Sequence, residues 1–220
     1  MSSTDAVATI PAGWRIKQGF DPFGNMVLRT YGASATNGLY NWGANPALDP
    51  VNASDRALSA IADNYFASEV TMEFRLTNNE ATSFTGFSLG FTGVQWRQNT
   101  GARTVEFRYS LNGLLFRPIH SLYFTTPQTG VAGQIDGYSP ANRVVFNLND
   151  FTFYDDETWD MGETLTLQWF NPIGNTSNKG IGMGIDDVFF NAIPEPRMSL
   201  FLGILAIFFF LRHFRRKVEA

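Results

Sequence analysis

The side chains that could do chemistry are few, and most are acids. Two histidines exist, His120 and His213, and His213 sits in a basic run near the C-terminus. His120 has no Gly-x-Ser-x-Gly nucleophile elbow to serve, so a Ser-His-Asp reading finds no partner. The cluster Asp155, Asp156, Glu157, Asp160 and Glu163, and the pair Asp186-Asp187, have the carboxylates that glycoside hydrolysis or Ca²⁺ binding would use. Their spacing sets no two acids across a sugar and follows no EF-hand pattern. A solvated acidic loop and a carboxylate-capped strand bend are the readings adopted, with no catalytic residue and no metal ligand assigned. Gly180-Ile181-Gly182-Met183-Gly184 looks like a nucleotide loop but lies in a strand-period pattern, where small residues let a neighbour approach closely. Tyr40, Trp42 and Trp96 could stack on sugar rings; Trp42 and Trp96 are the candidate glycan contacts, weighed against a packing role. No cofactor is implied.

The elements that must position these groups read as strands. Val70, Met72, Phe74 and Leu76 alternate with Thr71, Glu73 and Arg75; Val105, Phe107 and Tyr109 alternate with Glu106 and Arg108. Residues 87–92, 144–148 and 164–169 repeat the pattern, the mark of strands with one buried face. Ile181, Met183 and Ile185 share one parity and Val188, Phe190 and Ala192 the other, so a β-bulge is expected at Asp186-Asp187. Phe supplies 21 of 220 residues, and Gly and Pro punctuate many turns. The fold class expected is all-β, an antiparallel jelly-roll-like β-sandwich followed by a short C-terminal transmembrane helix.

Charge is divided along the chain. Residues 1–193 carry 11 basic and 18 acidic side chains, a body that repels nucleic acid. The absence of Cys excludes disulfides and thiolate zinc sites. Residues 198–211, MSLFLGILAIFFFL, show no polar face, and Arg212, Arg215, Arg216 and Lys217 follow. Fourteen residues at ~1.5 Å each span ~21 Å of a ~30 Å hydrocarbon core, and flanking arginines can snorkel to reduce the mismatch. The basic end prefers the cytoplasmic side, which places the body outside. Pro194-Glu195-Pro196 is expected to end regular structure and form an exposed linker.

This tail, with Pro194-Glu195-Pro196, a short apolar helix and an Arg-rich end, resembles the PEP-CTERM sorting signal. The resemblance implies export in a Gram-negative bacterium, an inner-membrane-anchored precursor, recognition by an exosortase-type membrane enzyme, and passage of the body to the cell surface or extracellular matrix. Tyr40-Asn41-Trp42-Gly43, Ser54–Leu58, Leu76–Asn79, Gly93–Arg97, Arg108–Ser110, Asn142-Arg143 and Ile185–Val188 together resemble a β-sandwich module of secreted bacterial proteins. MSSTDAVATIPAGW has no basic or apolar leader region, so an export signal is expected from an upstream start or prior trimming. The division read is 1–37, an N-terminal segment able to supply the first strand or strands; 38–192, the sandwich body; 193–197, the linker; 198–211, the transmembrane helix; and 212–220, the basic tail. The function expected is a non-catalytic surface protein, in contact with exopolysaccharide. The alternatives are a lectin-like carbohydrate-binding module, Ca²⁺-assisted or not, and a secreted hydrolase working through Asp155 or Asp186.

Overall fold

Alternating side chains settle into two packed sheets. The computed structural model describes residues 7–8, 10–20, 26–30, 36, 38–43, 55–63 and 69–196. In chain order the strands are β1 (Val7–Ala8), β2 (Trp14–Gln18), β3 (Met26–Thr30), β4 (Gly38–Gly43) and β5 (Arg56–Ile61). They continue as β6 (Val70–Thr77), β7 (Phe84–Gln98), β8 (Thr104–Ser110), β9 (Arg117–Pro118) and β10 (Phe124–Thr125). The last are β11 (Gly133–Gln134), β12 (Arg143–Thr152), β13 (Thr164–Asn171) and β14 (Gly182–Pro194). The first sheet runs β1-β3-β4-β5-β14-β7, with β11 and β12 both on the far side of β7; the second runs β10-β8-β13-β6-β2, with β9 also on β8.

The all-β, two-sheet reading holds. Every described ladder is antiparallel except β3 against β4, which is parallel; period-two patterning carries no information about strand direction. No helix among the described residues is long and apolar enough to cross a membrane. The expected transmembrane helix (198–211) and the basic residues Arg212, Arg215, Arg216 and Lys217 lie outside the described residues.

The core between the sheets is aromatic. Trp169 is fully buried, stacked on Trp14 at 5.4 Å and met edge-on by Phe91 at 5.5 Å and Phe107 at 5.1 Å. Burying a side chain of this size is worth ~1.5–3 kcal/mol before ring geometry adds its part. Ile16, Met72, Trp169 and Phe107 are direct partners across β2, β6, β13 and β8 and form one inward row. The next residue on each strand must then point out of the sandwich, also in register.

The expected bulge is present. The β14–β7 register slips between Asp186 and Phe189, and Asp187 takes a φ of 51°. The alternation over 144–148 is followed by a bulge with no counterpart in the apolar pattern, between Leu148 and Phe151, where Asp150 has a φ of 50°. Gly182 and Gly184 lie in β14, and a Cβ on either would collide with Trp42 or Ser59, so close approach is what these glycines permit.

The linker boundary needs correcting. Ile193 and Pro194 belong to β14, opposite Gly86 and Phe84, and the Glu195 N–H donates to the Ser83 carbonyl at 2.9 Å. Beyond Ile185, β14 has no described partner on its β5 side, so a proline is tolerated where an edge N–H is not needed. Pro194, Glu195 and Pro196 are all exposed.

One buried cation ties the loops at one end of the sandwich. Arg103 donates through Nε to Asn171 Oδ1 at 2.5 Å, through Nη1 to the carbonyls of Ala62 at 3.0 Å and Asn178 at 3.1 Å, and through Nη2 to the Pro172 carbonyl. Burial lowers its pKa to about 10, with Asp63 opposing, so it remains charged at neutral pH. Replacing Arg103 with Met leaves these acceptors without their donor. Urea denaturation at pH 7 is expected to show a loss of about 3 kcal/mol.

Candidate functional site

The outward faces of the two sheets are treated differently by the chain. On the second sheet, Arg15, Glu73, Gln168 and Arg108 form the row next to the core row, direct partners across β2, β6, β13 and β8. Arg15 Nε donates to Glu73 Oε2 at 2.5 Å, Gln168 Nε2 donates to Glu73 Oε1 at 2.6 Å, and Arg108 Nε donates to Gln168 Oε1. Each group is a donor or acceptor to its neighbour, so the row is a continuous charge-assisted ladder. Glu73 and Gln168 are only 3% and 4% exposed although they point away from the core.

They are buried because this face is the floor of a groove of about 370 Å³. Thr71, Thr166 and Phe170 extend the floor, and Gly19, Glu69, Gly113 and Phe116 form parts of its walls. The wall at Gly113 is a tight turn after β8. Ser110 Oγ accepts from the Gly113 N–H at 2.9 Å, and Asn112 Oδ1 accepts from Leu114 at 2.9 Å and Leu115 at 3.1 Å. That turn holds Leu114 and Leu115 exposed at its tip.

Arg108 is the best-defined group in the groove. Its guanidinium carbon lies 4.4 Å from the Phe170 ring centroid and 5.3 Å from that of Phe116, a double cation–π contact. Partial burial lowers its pKa, while Glu106, Tyr123 and Glu73 push it back up. With Nε committed to Gln168, its two Nη groups make no hydrogen bond among the described residues. The groove can therefore offer the planar Nη donors of Arg108 to a ligand lying along the sheet, above a floor in which the Gln168 amide and the Glu73 carboxylate are engaged with their neighbours.

On the first sheet the outward face carries its own small core. Tyr40, Trp42, Ala57, Ile61, Val94 and Trp96 cluster there, with Trp42 at 0% and Trp96 at 1% exposure. Tyr40 stacks on Trp42 at 4.9 Å; Tyr138 meets Trp96 edge-on at 5.3 Å, and Gly137 packs flat on the same indole. The expectation that Trp42 and Trp96 contact glycan is thereby corrected. Both rings do lie on an outer face, but Gly137 and Tyr138 cover Trp96, and Tyr40, Trp96 and Gly182 pack round Trp42, so they serve as packing anchors.

Four of the acids are held by arginines. Asp155 and Glu157 both pair with Arg117, at 2.9 and 2.7 Å, and Glu163 Oε2 accepts from the Asp160 N–H at 2.9 Å. Asp186 and Asp187 share Arg143 at 3.3 and 3.0 Å, and Thr92 Oγ1 donates to Asp187 Oδ2 at 3.1 Å. Among the described residues no three carboxylate or imidazole groups gather as a metal site. His120 is exposed and packs on Tyr123 at 4.9 Å.

No protein-family model matches the chain, and no curated protein matches it. Among solved structures, similarity is found to TmCBM61 in complex with β-1,4-galactotriose, at 12% identity over 82% of this chain and 89% of that one, TM-score 0.42. A CBM4 structure aligns at 14% identity over 83% and 96%, TM-score 0.37. A non-crystalline-cellulose-specific carbohydrate-binding module, CBM28, aligns at 12% identity over 81% and 88%, TM-score 0.35. Likeness at this level assigns neither a family nor a ligand to the chain.

Asp186 provides a pH test. Burial raises its pKa, Asp55 and Asp187 add to the rise, and Arg143 and the Asp187 N–H oppose it. A carboxyl raised above its unfolded value of ~3.9 destabilises the fold when ionised. That penalty is present in full above the folded-state pKa and vanishes as pH falls below the unfolded one. Asp186→Asn is therefore expected to melt higher than the parent at pH 7, with the gap closing towards pH 3.5. A gap independent of pH would show that Asp186 ionises without penalty.

Proposed function

We propose that the protein is a non-catalytic carbohydrate-binding β-sandwich, which takes a polysaccharide segment along the groove on the outer face of its second sheet. The observation that carries this reading is the ladder Arg15–Glu73–Gln168–Arg108 lying at the bottom of an open groove. A preorganised floor of planar donors and acceptors suits a ligand that is itself rich in hydroxyls. Carboxylates paired with Arg117 and Arg143, on other parts of the surface, support a binding role over a hydrolytic one. Affinity electrophoresis of the full chain through gels containing bacterial and plant polysaccharides is the direct test. Retardation is expected, and Thr71→Trp, which fills the floor, is expected to abolish it while circular dichroism stays unchanged. Retardation that survives in Thr71→Trp would place binding elsewhere.

A second reading concerns delivery, and the exposed Pro194–Pro196 favours it. The body would reach the cell surface through recognition of this motif by an exosortase-type enzyme while residues 198–211 sit in the inner membrane. The extended, solvent-facing backbone after β14, tethered by the Glu195–Ser83 hydrogen bond, is accessible to such an enzyme. Mass spectrometry of the mature protein from its host is expected to find the chain ending near Pro196. An intact Ala220 on a species free of membrane would overturn it.

A further inference from the structure

We infer that the groove is selective for acidic polysaccharide, with the carboxylate of a uronic acid residue bound by Arg108. The inference rests on the carbohydrate-binding reading and adds the charge class of the ligand.

The charge distribution is the starting point. Residues 1–193 carry a clear acidic excess, yet the groove is lined by Arg15, Lys17, Arg75 and Arg108 against Glu69 and Glu73. Arg108 and Arg75 form no ion pair among the described residues, and cations so placed in a cleft draw in an anion and focus the field upon it. Glu73 is ion-paired with Arg15 and accepts from Gln168, so its charge is balanced by Arg15 rather than by Arg108 or Arg75.

Arg108 supplies the binding geometry. Its Nε is held by Gln168, and its plane lies against Phe170 and Phe116, so the side chain is fixed before any ligand arrives. The carboxylates nearest in the field are Glu73 and Glu106, and neither forms an ion pair with it among the described residues. The Nη pair is thus an immobilised donor set facing the groove, matched to the two oxygens of a carboxylate. Arg75 lies one row away on β6, exposed and without an ion pair among the described residues, and can engage a second acidic sugar along the chain.

The experiment compares polygalacturonate with the same polymer after carboxyl reduction, by isothermal titration of the full chain in detergent at low salt. Binding to the acidic polymer is expected to be at least ~10-fold tighter, the worth of one charge-assisted contact. Arg108→Gln is expected to remove that preference, and Arg75→Gln, which disturbs no partner, to reduce it several-fold. Lys179→Gln, outside the groove, is expected to leave it unchanged. Equal affinity for both polymers overturns the acidic inference and leaves the carbohydrate reading standing. An equal loss in Lys179→Gln assigns the preference to overall charge and overturns the site. Failure to bind either polymer or any neutral glycan overturns both readings.

Discussion

The groove depends on a phase lock between the two sides of the second sheet. Ile16, Met72, Trp169 and Phe107 form one row into the core, and their chain neighbours Arg15, Glu73, Gln168 and Arg108 form the adjacent row outward. Side chains alternate with period two, so a one-residue slip of β13 would expose Trp169 and drive Gln168 into the sandwich. The aromatic contacts of Trp169 with Trp14, Phe91 and Phe107 therefore set the register in which the polar ladder forms. The geometry of the groove is inherited from core packing.

The two outer faces show how loops decide what a sheet face becomes. On the first sheet, the segment containing Gly137 and Tyr138 folds over Trp96 and helps convert the face into a satellite core. On the second sheet, the turn at Gly113 and the edge at Gly19 rise beside the floor without covering it. Polar side chains on that floor are buried by the walls, and each ladder member has a partner that offsets its desolvation. A face of this kind is ordered but open, which is what an extended ligand needs.

Charges elsewhere are absorbed locally. Arg117 holds Asp155 and Glu157, Arg143 holds Asp186 and Asp187, and Arg103 binds the loop carbonyls. The bulge at Asp187 turns that carboxylate outward, where it is 62% exposed, while Asp186 stays mostly covered. At the other end of the same strand the chain leaves the sheet at Pro194, beside Ser83. Among the described residues the surface thus presents structural ion pairs, an open groove and an exposed exit segment.

Strict alternation made the strands around Met72, Phe107, Trp169 and Phe91 readable from the residues, and the parity change at Asp186-Asp187 announced its bulge. Local periodicity reports which side chains share a face, because the pleat permits nothing else. The groove was half legible: Glu73, Arg108 and Gln168 were placed in outward sets, and Trp-Arg-Ile-Lys at 14–17 alternates in the same way. Their coincidence in one row depends on residues 58 to 95 positions apart being neighbours, and pairing order is a property of the packed sheets. The burial of Trp42 and Trp96 was likewise out of reach, because it depends on distant segments packing round them. The parallel β3–β4 pair and the extension of β14 to Pro194 have the same origin. Sequence determines faces through a local period, whereas partners and covers come from tertiary contacts between distant segments.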